Sequence, residues 1–203
     1  MTYLLHLDSS ANVASSASRL LTAEVAARWA AAAPGREIRH RDLHADPLPH
    51  LPTNALHFTA EQRPPDAVAP DAGVVALQTA LLDELSGAAG VLIGAPMYNF
   101  SMPSTLKAWL DYVHVIGATS PAAQGVAPLR SKPVLVVSSR ATPTGADPRT
   151  DFVLGPFFTI LGEFMAMDVD GVVVHTEPPA EPGDYHHPAD EVRGELTALI
   201  DAW

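Results

Sequence analysis

Cysteine is absent from this 203-residue chain. That excludes disulfide staples, thiolate zinc sites and a cysteine nucleophile. Lysine is nearly absent: only Lys107 and Lys132 occur, in a chain of net charge −11. A surface that tracks nucleic-acid phosphates needs clustered Lys and Arg, so nucleic acid is not an expected partner. Any anionic ligand has to be held mainly by backbone N–H groups, hydroxyls and helix N-termini. No apolar run reaches the ~20 residues of a membrane span, and no membrane partner is expected. The opening MTYLLHLD has no basic region and reaches an acid at once, so no signal peptide is expected. Together with the missing cysteine, this suits a cytoplasmic protein. No Gly-x-Ser-x-Gly elbow occurs, which argues against a hydrolase of that kind. No Gly-x-Gly-x-x-Gly follows the first apolar run, which argues against a dedicated dinucleotide fold.

What is present is a globular composition, 47% apolar and 17% charged, at a length that suits a single domain over residues 1–203. Tyr3–Leu7 reads as a first strand. Ser15 or Ser16 can cap a helix running to about Ala33, where Pro34-Gly35 stops it. Glu37–Arg41 alternates and reads as a polar-flanked edge strand. Asp42–Ala72 reads as a long loop with one helical turn at most, and loops of that length are usually functional or mobile. Gly73–Ser86 has helical spacing, and Val91–Ala95 is a continuous apolar strand buried on both faces. Ser104–Ile116 follows as a helix and Gly117–Ser131 as a loop. Pro133–Ser138 is a fourth strand and Arg140–Arg149 a polar loop. Phe152–Met165 is a helix, Val169–His175 a fifth strand, and Pro188–Trp203 the last helix. Strands alternating with helices predict a parallel sheet covered on both faces. Nine histidines occur. His186-His187 are adjacent and cannot make a same-face pair, and His40, His44, His50 and His57 lie in polar segments and are expected to face solvent. No metal site is expected.

Chemistry concentrates in three loops that such a sheet brings to its carboxyl edge, where ligands bind. The first is Asp8–Ser18, DSSANVASSAS. Hydroxyls and amides at a helix start suit a phosphate dianion, although they also suit a plain N-cap and polar turn. The second lies in Pro96–Asp111, PMYNFSMPSTLKAWLD, directly after the third strand. Its Met97 and the backbone of Tyr98–Phe100 offer apolar atoms and donors of the kind a ring ligand needs. The alternative is that Tyr98 and Phe100 are core aromatics and Asn99 a turn residue. Pro103 suits a first helical position. The third is Ser139-Arg140-Ala141-Thr142.

Met-Tyr-Asn-Phe with its trailing Pro, Leu-Lys and Asp closely resembles the flavin-binding loop of the FMN-dependent NADH azoreductase and quinone reductase family. Asp42-Leu43 and Pro47-Leu48-Pro49 match family elements as well. Periodicity alone does not separate the doubly wound sheets. The resemblance implies the flavodoxin-like one, five parallel strands in the order 2-1-3-4-5, with FMN at the switch point between the first and third. It implies FMN contacts from Ser10, Ser16, Ala17 and Ser18, from Pro96, Met97, Tyr98, Asn99 and Phe100, and from Ser139, Arg140, Ala141 and Thr142. It implies NAD(P)H as co-substrate, a quinone or azo acceptor, and a homodimer with the active site at the interface. Lys107, Trp109 and Asp111 match the pattern in a structural role, and no side chain is assigned as acid or base. Two departures stand out. Ala141-Thr142 replace the usual Gly-Gly, and glycine is what permits positive φ and close approach. Gly117–Pro121 lacks the aromatic that usually covers the flavin, leaving His57, Phe58 or a second subunit to build the roof. These departures keep two alternatives open: a specialised FMN-dependent reductase or isomerase of a conjugated metabolite, and a flavodoxin-like electron carrier.

Overall fold

Four largely apolar runs and one polar edge segment become five strands that pair only in parallel: β1 (Thr2–Asp8), β2 (Arg36–Asp42, the polar one), β3 (Gly90–Gly94), β4 (Pro133–Arg140) and β5 (Asp168–His175). Their order is β2-β1-β3-β4-β5, the expected arrangement. The computed structural model describes residues 2–121, 125, 127–141, 151–176 and 190–203. Five helices link or follow the strands: α1 (Ala17–Ala31), α2 (Ala72–Gly87), α3 (Ser104–Val113), α4 (Leu154–Phe157, continuing as a π-helical turn over Phe158–Phe164) and α5 (Asp190–Asp201).

The period of two along each strand divides the core. Leu5, Leu7, Val91, Ile93, Val134 and Val136 pack against residues of α2, α3 and α4. Leu4, Leu92, Leu135 and Val137 pack instead with Leu21, Val25 and Trp29 of α1 and Leu196 and Ile200 of α5. By the same alternation His6 and Asp8 fall on the α1 side of β1.

Element ends move for identifiable reasons. Helix α3 stops at Val113, three residues before the expected Ile116. The Thr119 hydroxyl donates to the Val113 carbonyl at 2.5 Å and accepts the Val115 N–H at 3.0 Å, taking over the last turn. Helix α4 begins at Leu154 and not at Phe152, because the Asp151 carboxylate accepts the N–H groups of Val153 and Leu154 at 2.8 and 2.9 Å. The Asp42–Ala72 segment holds two 3-10 turns, Asn54–His57 and Ala60–Gln62. Buried Gln78 on α2 pins the first of them, donating to the Leu56 and Tyr112 carbonyls at 2.8 and 3.0 Å. Gly35, at φ +79°, makes the left-handed turn between α1 and β2. Gly171 on β5 gives Leu154 and Phe158 room, since a Cβ there would sit 3.2 Å from both. Residues 188 and 189 of the expected last helix lie outside the described residues.

Asp71 caps α2, accepting the Gly73 N–H at 2.7 Å. Asp71→Ala is expected to cost about 1 kcal/mol of unfolding free energy, read as a lower urea midpoint with an unchanged m-value.

Candidate functional site

The first loop is tied to the sheet where the strand order reverses. Ser9 Oγ donates to the Gly94 carbonyl at 2.7 Å, joining the ends of β1 and β3. Ser16, not Ser15, is the N-cap of α1, in extended backbone with its Oγ accepting the Arg19 N–H at 3.4 Å. Its hydroxyl lies 3.0 Å from that of Ser18. The Leu20 N–H goes to the Ser16 carbonyl. The first-turn donors of a helix have no intrahelical partner, so the N–H groups of Ala17 and Ser18 remain to meet an anion. The cap and the phosphate cradle are therefore compatible readings of the same serines. Ser10 Oγ accepts the Asn12 N–H at 3.2 Å, and Asn12 Oδ1 accepts from the Ser15 N–H and hydroxyl.

The second loop is a tight reversal. The Tyr98 N–H donates to the Ser101 carbonyl at 2.8 Å and the Ser101 N–H to the Tyr98 carbonyl at 3.0 Å. Between them Asn99 and Phe100 both take positive φ, 49° and 67°. Asparagine tolerates that region, but a bulky side chain there is an outlier. The strain is characteristic of functional loops, and it leaves Phe100 59% exposed. Pro96 is buried and Met97 half-buried. The Met97 N–H reaches the Ser139 carbonyl at 2.9 Å, holding the second loop against the third. Tyr98 reaches the first loop: its Oη accepts the Ala11 N–H at 2.8 Å and lies 3.3 Å from Ser10 Oγ. Tyr98 is thus not a core aromatic but a bridge between two loops.

In the third loop Ser139 is buried and Ala141 exposed, while Thr142 lies outside the described residues. The Arg140 side chain turns into the body of the protein. Its guanidinium donates to the Asp151 carboxylate and, at 2.7 Å, to Ser138 Oγ. His57 and Phe58 are stitched to the segment after α3: the Ile116 N–H donates to the His57 carbonyl at 2.8 Å and the Thr59 N–H to the Ile116 carbonyl at 3.2 Å. Lys107 and Asp111 pair one turn apart on α3, and Trp109 is fully buried.

Beneath the first loop lies a polar network that the sequence reading left out. Arg19 on α1 forks onto Asp42 with two 2.8 Å bonds, and its Nε and Nη2 also donate to the Ser10 carbonyl at 3.1 and 2.7 Å. These bonds set the direction of the Ser10–Ala11 peptide. His40, expected to face solvent, instead places its Nε2 2.9 Å from Asp8 Oδ2. The parallel register explains this, pairing His6 with His40 and Asp8 with Asp42. Aligning the ends of the first two strands was the signal that could have found it. Burial works to raise the Asp8 pKa, but the bond to His40, the His6 imidazole 3.6 Å away and the charge of Arg19 outweigh it and hold the carboxyl below its usual range. The His40 pKa is raised by its bond to Asp8. Bonding to Arg19 lowers Asp42 to about 2. A depressed carboxyl stabilises the fold above its unfolded pKa and loses that contribution as pH falls through the folded value. Acid titration of wild type against Asp42→Asn is expected to differ between pH ~4 and ~2 and to run parallel above it.

Comparisons with known proteins agree with the fold. Residues 2–194 match the family model described as "Flavodoxin-like fold". An FMN-dependent NADH:quinone oxidoreductase of Kineococcus radiotolerans is 44% identical over 172 residues, 83% of this chain and 80% of its own. One from Xanthomonas oryzae pv. oryzae is 37% identical over 197 residues, 97% and 94% of the two chains. Among solved structures, an azoreductase from Bacillus anthracis superposes with a TM-score of 0.73 at 21% identity, covering 100% of this chain and 96% of its own. An FMN-dependent NADH-azoreductase from the same organism, solved in complex with FMN, gives 0.70 at 17%, covering 100% and 97%. At those identities the solved structures speak for the fold.

Proposed function

We propose that this chain, which belongs to the FMN-dependent NADH:quinone oxidoreductases of the flavodoxin-like fold, is an oxidoreductase that uses NADH or NADPH to reduce quinones or azo compounds at one FMN site. The observation that carries this reading is the meeting of the three loops at the β1/β3 switch point, with Tyr98 joining the first loop to the second.

The donor set fits FMN. A phosphate dianion is served by the N–H groups of Ala17 and Ser18, the hydroxyls of Ser10, Ser16 and Ser18 and the positive end of α1, with no lysine required. The ring system is served by half-buried Met97 and by the Asn99 amide, which offers both donor and acceptor. When bound, FMN supplies the redox chemistry, taking hydride from the nicotinamide and passing reducing equivalents to the acceptor. The chain's own work is placement. Ser16, Ala17 and Ser18 would anchor the phosphate. Pro96, Met97, Tyr98, Asn99 and Phe100 would orient the ring, with the backbone of Ser139, Arg140, Ala141 and Thr142 along its edge. A second copy of the chain would complete the site. Phe100 and Phe152, 59% and 72% exposed, support this, since the Ser101 hydroxyl donates to the Phe152 carbonyl and brings the two segments together.

Protein purified with added FMN is expected to retain it stoichiometrically and to bleach near ~450 nm with NADH, a quinone restoring the colour. Protein that neither carries nor binds FMN would end this reading. FMN retention without turnover of any quinone or azo dye would favour a specialised reductase or isomerase, the alternative motivated by exposed Ala141 where the family carries glycine. A need for a separate reductase would favour an electron carrier.

A further inference from the structure

We propose that His6, His40 and Asp8 form a binding site for one divalent transition ion of the zinc, nickel or copper class, at the β2 edge of the sheet beneath α1.

The sheet itself assembles the ligands. Parallel register places His6 directly beside His40, and Asp8 lies one pleat further along the same face of β1. Asp8 Oδ2 is 2.9 Å from His40 Nε2 and 3.6 Å from His6 Nε2, and the three atoms lie within 4.8 Å of one another. Bonds of about 2.0–2.1 Å to one ion set such atoms roughly 3–3.5 Å apart. The Asp8–His6 separation is already close to that, the Asp8–His40 pair has to open slightly, and the two imidazoles have to close from up to 4.8 Å; the His40 side chain, 45% exposed at the sheet edge, has room to move.

An unsatisfied atom points into the cluster. His6 is buried, and among the described residues its Nε2 has no hydrogen-bond partner. A buried imidazole nitrogen left without a partner needs an explanation, and a shared ion on the Asp8 carboxylate supplies one. The other carboxylate oxygen, Asp8 Oδ1, lies 3.3 Å from the Thr22 hydroxyl, whose proton has a nearer acceptor in the Ser18 carbonyl at 2.9 Å.

Arg19 is the obvious objection, with Nη1 3.6 Å from Asp8 Oδ2. Its guanidinium, however, is committed to Asp42 and to the Ser10 carbonyl. Two carboxylates, Asp8 and Asp42, against one guanidinium leave the neighbourhood net negative when both histidines are neutral. Two imidazoles and one carboxylate select borderline transition ions over magnesium or calcium, and three protein ligands leave an open position for water.

The test uses FMN-loaded, chelator-stripped protein in equilibrium dialysis against Zn²⁺. One ion per chain is expected to bind in the micromolar range and to resist excess Mg²⁺. His40→Gln, at a half-exposed position that folding tolerates, is expected to weaken binding at least ~10-fold, the lower end of what loss of an outer-shell partner alone costs. His6→Gln is expected to do the same, with circular dichroism confirming the fold of both variants. Absence of saturable binding, equal displacement by Mg²⁺, or binding unchanged in His40→Gln would overturn the proposal, the last by placing the ion on other histidines. None of these readouts depends on redox turnover.

Discussion

Arg140→Ala is expected to lower unfolding free energy by about 3–5 kcal/mol, the range found when one partner of a buried ion pair is removed. The Arg140 side chain is fully buried and that of Asp151 is 4% exposed. Truncating the guanidinium removes the cation seen on that carboxylate and opens the space it fills. Asp151 also takes the N–H groups of Val153 and Leu154, so the start of α4 depends on the same carboxylate staying in place. Two comparisons make the result interpretable. Asp151→Asn keeps an acceptor for those N–H groups and is expected to cost less than Arg140→Ala. Arg140→Met with Asp151→Leu removes both charges together and is expected to recover part of the loss, because an apolar pair of similar bulk needs no desolvation offset. Urea melts with matched m-values report all three. A drop of under ~1 kcal/mol in Arg140→Ala would place this pair with ordinary surface substitutions and refute the buried-pair argument.

Arg140 also marks where the sequence stops being readable. The run GVLIGA is apolar on both faces and could only be a central strand, and β3 is buried from end to end. The polar alternation of Glu37–Arg41 pointed to an edge, and β2 lies at the edge. The Met-Tyr-Asn-Phe stretch lies at the switch point because a loop after the third strand of this topology has no other place to be. Side-chain direction at strand ends is a different matter. Nothing local says that Arg140 points inward to an aspartate eleven residues on, or that Tyr98 crosses to Ala11. The pairing of His40 with Asp8 depends on the register between β1 and β2, a property of two strands together. Helix ends behaved likewise: Thr119 and Asp151 shorten α3 and α4 from outside the helical pattern, which the apolar periodicity of the helices does not record. Patterns that one segment carries alone were legible, and contacts that need a second segment were not.

Arg19→Ala is expected to weaken FMN binding roughly 10- to 100-fold, the loss of one or two charge-assisted hydrogen bonds, while turnover of the FMN-saturated enzyme stays near wild type. The argument is electrostatic as much as geometric. The proposed phosphate cradle lies next to two carboxylates, Asp8 and Asp42, in a chain of net charge −11 with two lysines. Both of those lysines lie elsewhere, Lys107 paired with Asp111 and Lys132 donating to the Ser86 carbonyl. Arg19 is the cation that offsets those carboxylates, and its bonds to the Ser10 carbonyl turn the following N–H toward Tyr98. Removing it would expose a phosphate dianion to both acids and release the loop. Arg19→Lys restores charge without the planar fork that grips Asp42 and Ser10 together, so it is expected to recover only part of the affinity. Asp42→Asn separates the two effects, keeping the guanidinium while relieving repulsion, and is expected to change FMN affinity less than Arg19→Ala. Quenching of flavin fluorescence on titration gives each Kd. Rising salt should narrow the gap between Arg19→Ala and wild type, since the electrostatic part is screened and the geometric part is not. A Kd in Arg19→Ala within about twofold of wild type would mean that the Ser10–Ala11 peptide is held by the serine turn alone.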